Sequence, residues 1–221
     1  MVIKIGIDDA GRGPVLGPMI LAGVLIEKDE QETQLKELGV KDSKMIFPSK
    51  RKKIAKQITE NFKHFIVKTT PKEIDDSENL NTLEAIKSAM IINKLTENIK
   101  EKVRVVVDCP SVNKAAWTET LIGFLRSPGN IELSCEHKAD VNHPIVSAAS
   151  IIAKEMREYE MKRLRKEKTI DFGSGYPADP KTKEFIQSNF SNPKYKDLIR
   201  FSWSTVQKLV KESDIKQKKL F

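Results

Sequence analysis

Hydrophobic residues along the chain follow strand-like and helix-like spacings in turn, and this predicts an α/β protein. Ile3, Ile5 and Ile7 occupy every second position, which is typical of a half-buried strand. The apolar run at 19–28 is rich in branched residues, so we expect a buried strand paired with the first. Further strands are predicted over 64–70, 102–108 and 131–140.

Segments with helical spacing separate the predicted strands. The segment 48–61 places an apolar stripe beneath a basic face, and a long helix is expected to begin at Pro144. Asn81 and Glu84 have the spacing of a helix-capping pair, so we expect Asn81 to cap the helix that follows it. The other helices are predicted over 30–39, 82–99, 113–126, 180–189 and 201–212.

Composition narrows the class of protein further. We find no internal repeat and no domain break before about residue 190, which predicts one domain over 1–190 and a helical region with a basic tail over 191–221. There is no run of 18 apolar residues and no secretory signal pattern, so we expect a cytoplasmic protein without a membrane span. The net charge of +8 fits a polyanion such as nucleic acid, although many soluble proteins are mildly basic without such a partner.

Candidate chemistry begins where the first strand ends. The strand runs into Asp8 and Asp9, two adjacent carboxylates that repel each other unless a cation lies between them. A divalent metal is one such cation, and a strand-end turn capped by one of the acids is the alternative. Gly11-Arg12-Gly13 follows and places a guanidinium between two residues that allow close backbone approach, which suits an anionic, phosphate-bearing ligand.

Two further acids lie at the ends of other predicted elements. Asp108 follows a strand that is apolar on both faces, so it is either a ligand at the sheet edge or the start of the turn towards Pro110. Asp140 lies just before the long helix, where the helix dipole favours an anion. His137 alone is more typical of a hydrogen-bonded structural histidine than of a ligand.

Two predicted loops carry side chains that are suited to binding nucleic acid. Lys44 lies in the segment VKDSK and could reach a phosphate, although a solvated loop also explains the cluster. Tyr176 lies between Gly175 and Pro177, where its ring could stack on a sugar or base or simply pack within the loop.

Together these acids describe an all-oxygen site. Cys109 and Cys135 are far apart and form no CxxC, so the chain has neither a zinc framework nor a disulfide scaffold. Oxygen ligands suit Mg²⁺ or Mn²⁺, and two such ions about 3.5 to 4 Å apart can activate a water and stabilise a leaving oxygen. The hypothesis is a metal-dependent nuclease.

Six ordered segments resemble the ribonuclease HII family (type 2 RNase H) in its archaeal form, over Ile3 to about Trp203. They are GIDDAGRGPVLGPM, VKDSK, VVVDCPSVN, EHKADVNHPIVSAASIIAK, GSGYPADPKT and RFSW. The resemblance implies an RNase H-like α/β fold with a central mixed sheet flanked by helices and a small helical C-terminal region. It also implies cleavage of the RNA strand of RNA/DNA hybrids, incision 5′ of ribonucleotides in duplex DNA, and 3′-hydroxyl and 5′-phosphate products.

The resemblance also assigns residues. The metal-binding and catalytic acids would be Asp8, Asp9, Asp108 and Asp140. The segment that reads the 2′-hydroxyl would be Gly11, Arg12 and Gly13, with Tyr176 stacking on the adjacent sugar and Lys44 contacting a phosphate.

One departure from the family pattern concerns Asp9, where the family has Glu. The shorter side chain loses about 1.5 Å of reach, which predicts a preference for the larger Mn²⁺ ion. A hybrid-binding protein with impaired catalysis is therefore a second hypothesis. A phosphotransferase with Asp8 as nucleophile is a third, and no partner motif supports it.

Protein partners are suggested only by the tail. The ending QKKLF resembles a peptide that binds a sliding clamp, and a disordered basic tail explains it equally well. We expect a monomer.

Overall fold

A computed structural model describes residues 3–40 and 46–218 of the chain, with side chains as far as residue 212. None of the described helices combines the length and the apolar character that a membrane span requires. The described strands are β1 (Ile3–Ala10), β2 (Met19–Ile26), β3 (Lys63–Thr69), β4 (Val103–Asp108) and β5 (Ile131–Glu136).

The strands form one mixed sheet in the order β3-β2-β1-β4-β5. β1 runs antiparallel to β2 and parallel to β4, and β4 runs parallel to β5. The α/β class with a central mixed sheet is thereby confirmed. Because β1, β4 and β5 are parallel, their carboxyl ends lie at one edge of the sheet, where open α/β sheets bind ligands.

Helices and turns connect the strands. The α-helices are α1 (Asp29–Glu37), α2 (Pro48–Asn61), α3 (Pro71–Asp75), α4 (Leu80–Leu95), α5 (Lys114–Gly123), α6 (Ala139–Asn142), α7 (Pro144–Lys168), α8 (Pro180–Asn189) and α9 (Ser204–Lys218). In the part of the chain that the structure describes, short 3₁₀ helices cover Pro128–Asn130 and Pro193–Leu198.

The start of α4 corrects the capping prediction. Asn79, not Asn81, is the cap, and its side chain accepts a hydrogen bond from the Thr82 N–H at 2.8 Å. The helix therefore begins two residues earlier than the spacing suggested. Glu84 lies inside the helix and is buried, so it is not the partner of a cap.

The chain divides into two compact units, each with its own core. The first comprises the described parts of Met1–Ala10, Ile20–Lys68 and Glu78–Met156 and contains the sheet except for its end residues Met19 and Thr69. The second comprises the described parts of Gly11–Met19, Thr69–Ser77 and Arg157–Phe221. The boundary near residue 190 that the sequence suggested stays a prediction.

In the first unit, α7 packs directly on β1 at Gly6. A β-carbon added to Gly6 would lie 2.5 Å from the carbonyl carbon of Ile145 and 2.6 Å from the nitrogen of Val146. The backbones of helix and strand thus approach each other as closely as only glycine permits. Further along α7, the side chain of Ser150 forms a hydrogen bond with Asp8.

Gly6→Ala is expected to destabilise the protein by about 1–3 kcal/mol, because the added methyl group meets backbone rather than a movable side chain. Urea unfolding followed by circular dichroism measures the change. The matched control is Gly123→Ala at the end of α5, where nothing lies within 4 Å of the added carbon. The control should be neutral or slightly stabilising, and equal losses in both variants would contradict the close-packing explanation.

Candidate active site

Asp8 and Asp9 are positioned by β1, which carries them near its carboxyl end. Asp8 is 6% exposed and Asp9 is half-buried. The Asp9 N–H donates a hydrogen bond to Asp8 Oδ1 at 2.7 Å. This bond orients the Asp8 carboxylate through the backbone of the neighbouring residue.

Asp108 is positioned next to Asp8 by the parallel pairing of β1 with β4. Ile7 lies opposite Val107, so the acids that follow them leave the sheet side by side. The Ala139 N–H at the start of α6 donates to Asp108 Oδ1 at 2.9 Å. The sequence left Asp108 as a ligand or a turn residue, and the structure places it beside Asp8.

A small cavity brings three of the four predicted acids together. Asp8, Asp9 and Asp108 line it with Glu84 and Ser88 of α4, and its volume is about 10 Å³, room for about one water molecule. Glu84 is only 2% exposed. The sequence reasoning missed Glu84 because it treated this residue as a capping partner. The signal that could have found it is an acid one helical turn before a small polar residue, both on the face of the helix that carries its buried residues.

Asp140, the fourth predicted acid, does not line this cavity. It is in the first turn of α6 and is 5% exposed. The chain reaches α6 through Lys138, whose φ of 56° is in the left-handed region. The hydrogen bond from Ala139 to Asp108 connects this turn to the other acids.

The negative charges of the carboxylates in the cavity repel one another. Burial is the main cause that raises the pKa of Asp8 well above its ordinary value, and the charges of Asp9 and Asp108 raise this pKa further. Hydrogen bonds from Ser150 and from the Asp9 backbone act in the opposite direction. An ionised Asp8 therefore costs free energy that a cation in the cavity would offset.

The donor chemistry of these residues fits Mg²⁺ or Mn²⁺. Within residues 3–40 and 46–218, no three His, Cys, Asp or Glu side chains are close enough together to hold a metal ion as they stand. Mg²⁺ does not need such a cage, since it commonly keeps several waters and takes only one or two carboxylates. The four acids that line the cavity, Asp8, Asp9, Glu84 and Asp108, offer carboxylate oxygens and negative charge for such an ion.

The two histidines near the site make structural contacts. His137 Nδ1 lies 3.0 Å from the carbonyl oxygen of Cys109, in agreement with the structural role expected of it. His143 Nε2 lies 2.9 Å from Glu136 Oε2, and this hydrogen bond is the main cause that lowers the pKa of Glu136. These contacts hold the loops after β4 and β5 without taking part in the cavity.

The residues predicted to contact the ribose, Gly11, Arg12, Gly13 and Tyr176, belong to the second unit. Gly11 has a φ of 92°, and an added β-carbon would lie 2.5 Å from Arg157 Nε. The Arg157 guanidinium lies 5.4 Å from the centroid of the Tyr176 ring, which is 46% exposed. Gly11 and Tyr176 thus share Arg157 as a neighbour. Lys44 lies outside the described residues.

Comparison with known proteins gives a consistent result. A family model described as Ribonuclease HII matches residues 5–206. A Ribonuclease HII from Pyrococcus furiosus is 40% identical over 219 residues, which cover 97% of this chain and 93% of the relative. A Ribonuclease HII from Methanothermobacter thermautotrophicus is 40% identical over 210 residues, which cover 92% and 97% of the two chains.

Solved structures agree with the sequence comparison. The ribonuclease H2 of Pyrococcus horikoshii OT3 aligns with a TM-score of 0.83 and 33% identity, over 96% of this chain and 99% of that one. Ribonuclease HII in the PCNA complex from Archaeoglobus fulgidus aligns with a TM-score of 0.79 and 35% identity, over 92% and 96% of the two chains. Bst-RNase HIII in complex with Mn²⁺ shares the fold at 20% identity, with a TM-score of 0.79 over 96% of this chain and 70% of that one.

Asp8→Asn is expected to raise the melting temperature of the metal-free protein, because it removes a buried charge beside two other carboxylates. The folded-state pKa of Asp8 is raised, so the cost of its charge is absent below the ordinary carboxyl range and grows as the pH rises through the raised pKa. The gain should therefore be larger at about pH 7 than at about pH 4.

Thermal unfolding in EDTA at the two pH values measures this gain. The matched control is Asp29→Asn, whose carboxylate is 71% exposed and should contribute little at either pH. A lower melting temperature for Asp8→Asn at about pH 7 would contradict the proposed repulsion.

Proposed function

The chain belongs to the ribonuclease HII family, and from this premise we propose how its residues cut the RNA strand of RNA/DNA hybrids. As a type 2 ribonuclease H it acts on such hybrids. The proposal adds incision on the 5′ side of single ribonucleotides in duplex DNA, by two-metal hydrolysis that leaves 3′-hydroxyl and 5′-phosphate ends. The observation that carries it is the cavity lined by Asp8, Asp9 and Asp108 at the ends of two parallel strands.

In this proposal Asp8, Asp9, Asp108 and Asp140 hold the divalent ions. Bound Mg²⁺ or Mn²⁺ would supply an activated water and charge stabilisation for the leaving oxygen of an in-line displacement. The chain's own contribution is orientation: the Asp9 N–H holds Asp8, and the Ala139 N–H holds Asp108. No serine, cysteine or histidine nucleophile is needed.

Recognition of the ribose is assigned to the second unit. We propose that the backbone of Gly11, Arg12 and Gly13 reads the 2′-hydroxyl and that Tyr176 stacks on the adjacent sugar. The exposed ring of Tyr176 and its support by Arg157 suit a stacking surface. Lys44 is proposed as a phosphate contact on the resemblance alone.

A sliding clamp is proposed as a protein partner through the C-terminal tail. The Archaeoglobus fulgidus relative was solved as a complex with PCNA. The final residues QKKLF resemble a clamp-binding peptide in their order of glutamine, aliphatic and aromatic residues. A basic tail that only contacts nucleic acid is the alternative.

The second candidate function is a hybrid-binding protein with impaired catalysis. The specific observation that favours it is Asp9, which stands where the family pattern has Glu and reaches about 1.5 Å less far. Binding of a hybrid without cleavage in any divalent metal would distinguish this function from the first.

An end-labelled DNA duplex with one ribonucleotide is expected to receive a single cut just 5′ of the ribonucleotide, in Mg²⁺ or Mn²⁺ and not in EDTA. An all-DNA duplex of the same sequence is the control and should stay intact. Gel electrophoresis of the labelled strand gives the position of the cut. Cleavage of both duplexes would contradict recognition of the ribose, and binding without a cut would favour the second candidate function.

Asp9→Glu is expected to raise the cleavage rate in Mg²⁺ by about tenfold and to reduce the ratio of the Mn²⁺ rate to the Mg²⁺ rate, because the longer side chain restores reach to the smaller ion. Initial rates in each metal measure both quantities. Asp29→Glu, an exposed substitution of the same type, should change neither quantity. Equal rates of the unsubstituted protein in both metals would contradict the expected preference for Mn²⁺.

A further inference from the structure

Arg200 is a fully buried side chain that binds the backbone of the Gly11–Arg12 segment. Its guanidinium is in the second unit and donates three hydrogen bonds to carbonyl oxygens. Nη2 donates to Gly11 at 2.8 Å, Nη1 donates to Arg12 at 3.1 Å, and Nε donates to Gly17 at 3.0 Å. The exposed fraction of the residue is 0%.

These bonds set the direction of two backbone N–H groups. In a trans peptide the carbonyl and the following N–H point to opposite sides of the chain. The carbonyls of Gly11 and Arg12 point at Arg200. The N–H groups of Arg12 and Gly13 therefore point away from it, towards the other side of the segment.

The surroundings of the segment are open at Gly13 and closed at Gly11. A β-carbon added to Gly13 would meet nothing within 4 Å, and the residue is exposed. Gly11 is packed against Arg157 instead. A ligand oxygen can thus approach the Gly13 side of the segment.

The geometry points to Arg200 as the positioning residue that aims the Arg12 and Gly13 N–H groups at the ribose 2′-oxygen and so sets the discrimination between ribose and deoxyribose. The inference rests on the proposed function and names the residue behind its specificity. A hydroxyl oxygen accepts hydrogen bonds from such donors, and a deoxyribose carries no oxygen at this position.

Arginine is required by the geometry of the three carbonyls. Its planar guanidinium presents donors in a fixed fork, whereas lysine offers one compact charge on a flexible stem. Arg200→Lys therefore keeps the positive charge and loses the fixed spacing. Trp203 adds to this constraint, since its ring centroid lies 5.6 Å from the Arg200 guanidinium carbon.

The test compares binding of two DNA duplexes, one all-DNA and one with a single ribonucleotide, in the Asp8→Asn background without metal so that no strand is cut. Discrimination is measured by the ratio of the Kd for the all-DNA duplex to the Kd for the duplex with one ribonucleotide. Arg200→Lys is expected to reduce this ratio by about tenfold while the Kd for the all-DNA duplex stays within about twofold. A merely structural role would weaken binding of both duplexes equally, and that result would overturn the inference.

The matched control is Arg165→Lys. Arg165 is in the same unit and donates to the Gly173 carbonyl at 2.7 Å. Its guanidinium lies 5.2 Å from the centroid of the Phe172 ring, so these contacts are with the loop after α7 and not with Gly11–Gly13. Its variant should keep the full ratio. Loss of discrimination in this control as well would overturn the specific role of Arg200.

A second variant covers the case in which Arg200→Lys does not fold. Replacing Gly13 by glycolic acid exchanges one backbone N–H for an ester oxygen and leaves Arg200 unchanged. The ratio of Kd values should again fall, and an unchanged ratio would overturn the inference. If the Asp8→Asn parent itself does not discriminate between the duplexes, the proposed reading of single ribonucleotides fails, which is a separate result.

Discussion

Ile7 of β1 lies opposite Val107 of β4 in a parallel register, and the positions of the candidate acids follow from that pairing. A shift by one residue would turn every side chain of the strand to the other face of the sheet. Asp8 and Asp108 would then no longer leave the sheet together. Gly6 contributes to the same arrangement, because it allows α7 to lie against β1, and Ser150 of this helix forms a hydrogen bond with Asp8.

The same burial makes the site costly for the folded protein. Asp8 is buried, and the charges of Asp9 and Asp108 lie close to it, so its own charge is disfavoured by desolvation and by repulsion. A stable core would place an apolar residue at this position. In the proposed mechanism a divalent cation lies between the carboxylates, so the strand end that is unfavourable for stability is the one proposed to bind the ions for phosphodiester hydrolysis.

Much of the fold follows from the sequence, because apolar periodicity and strand-end acids are local signals. The alternation at Ile3, Ile5 and Ile7 predicts β1, and the doubly apolar run before Asp108 predicts a central parallel strand. The sequence predicts the first and last residues of the helices less accurately. Spacing favours Asn81 as the cap of α4 because Glu84 follows it by three residues, yet Asn79 is the cap, since Glu84 is buried inside the helix instead of turning back to the helix start.

Tertiary structure alone decided which distant residues meet. The sequence by itself determined the α/β class, the acids at the strand ends and the resemblance that names their chemistry. It did not indicate that Glu84 lines the cavity with Asp8, or that Arg200 binds the carbonyls of Gly11 and Arg12. The physical reason is that these contacts join residues about 76 to 189 positions apart, and the packing of helices on a completed sheet, rather than any local pattern, brings them together.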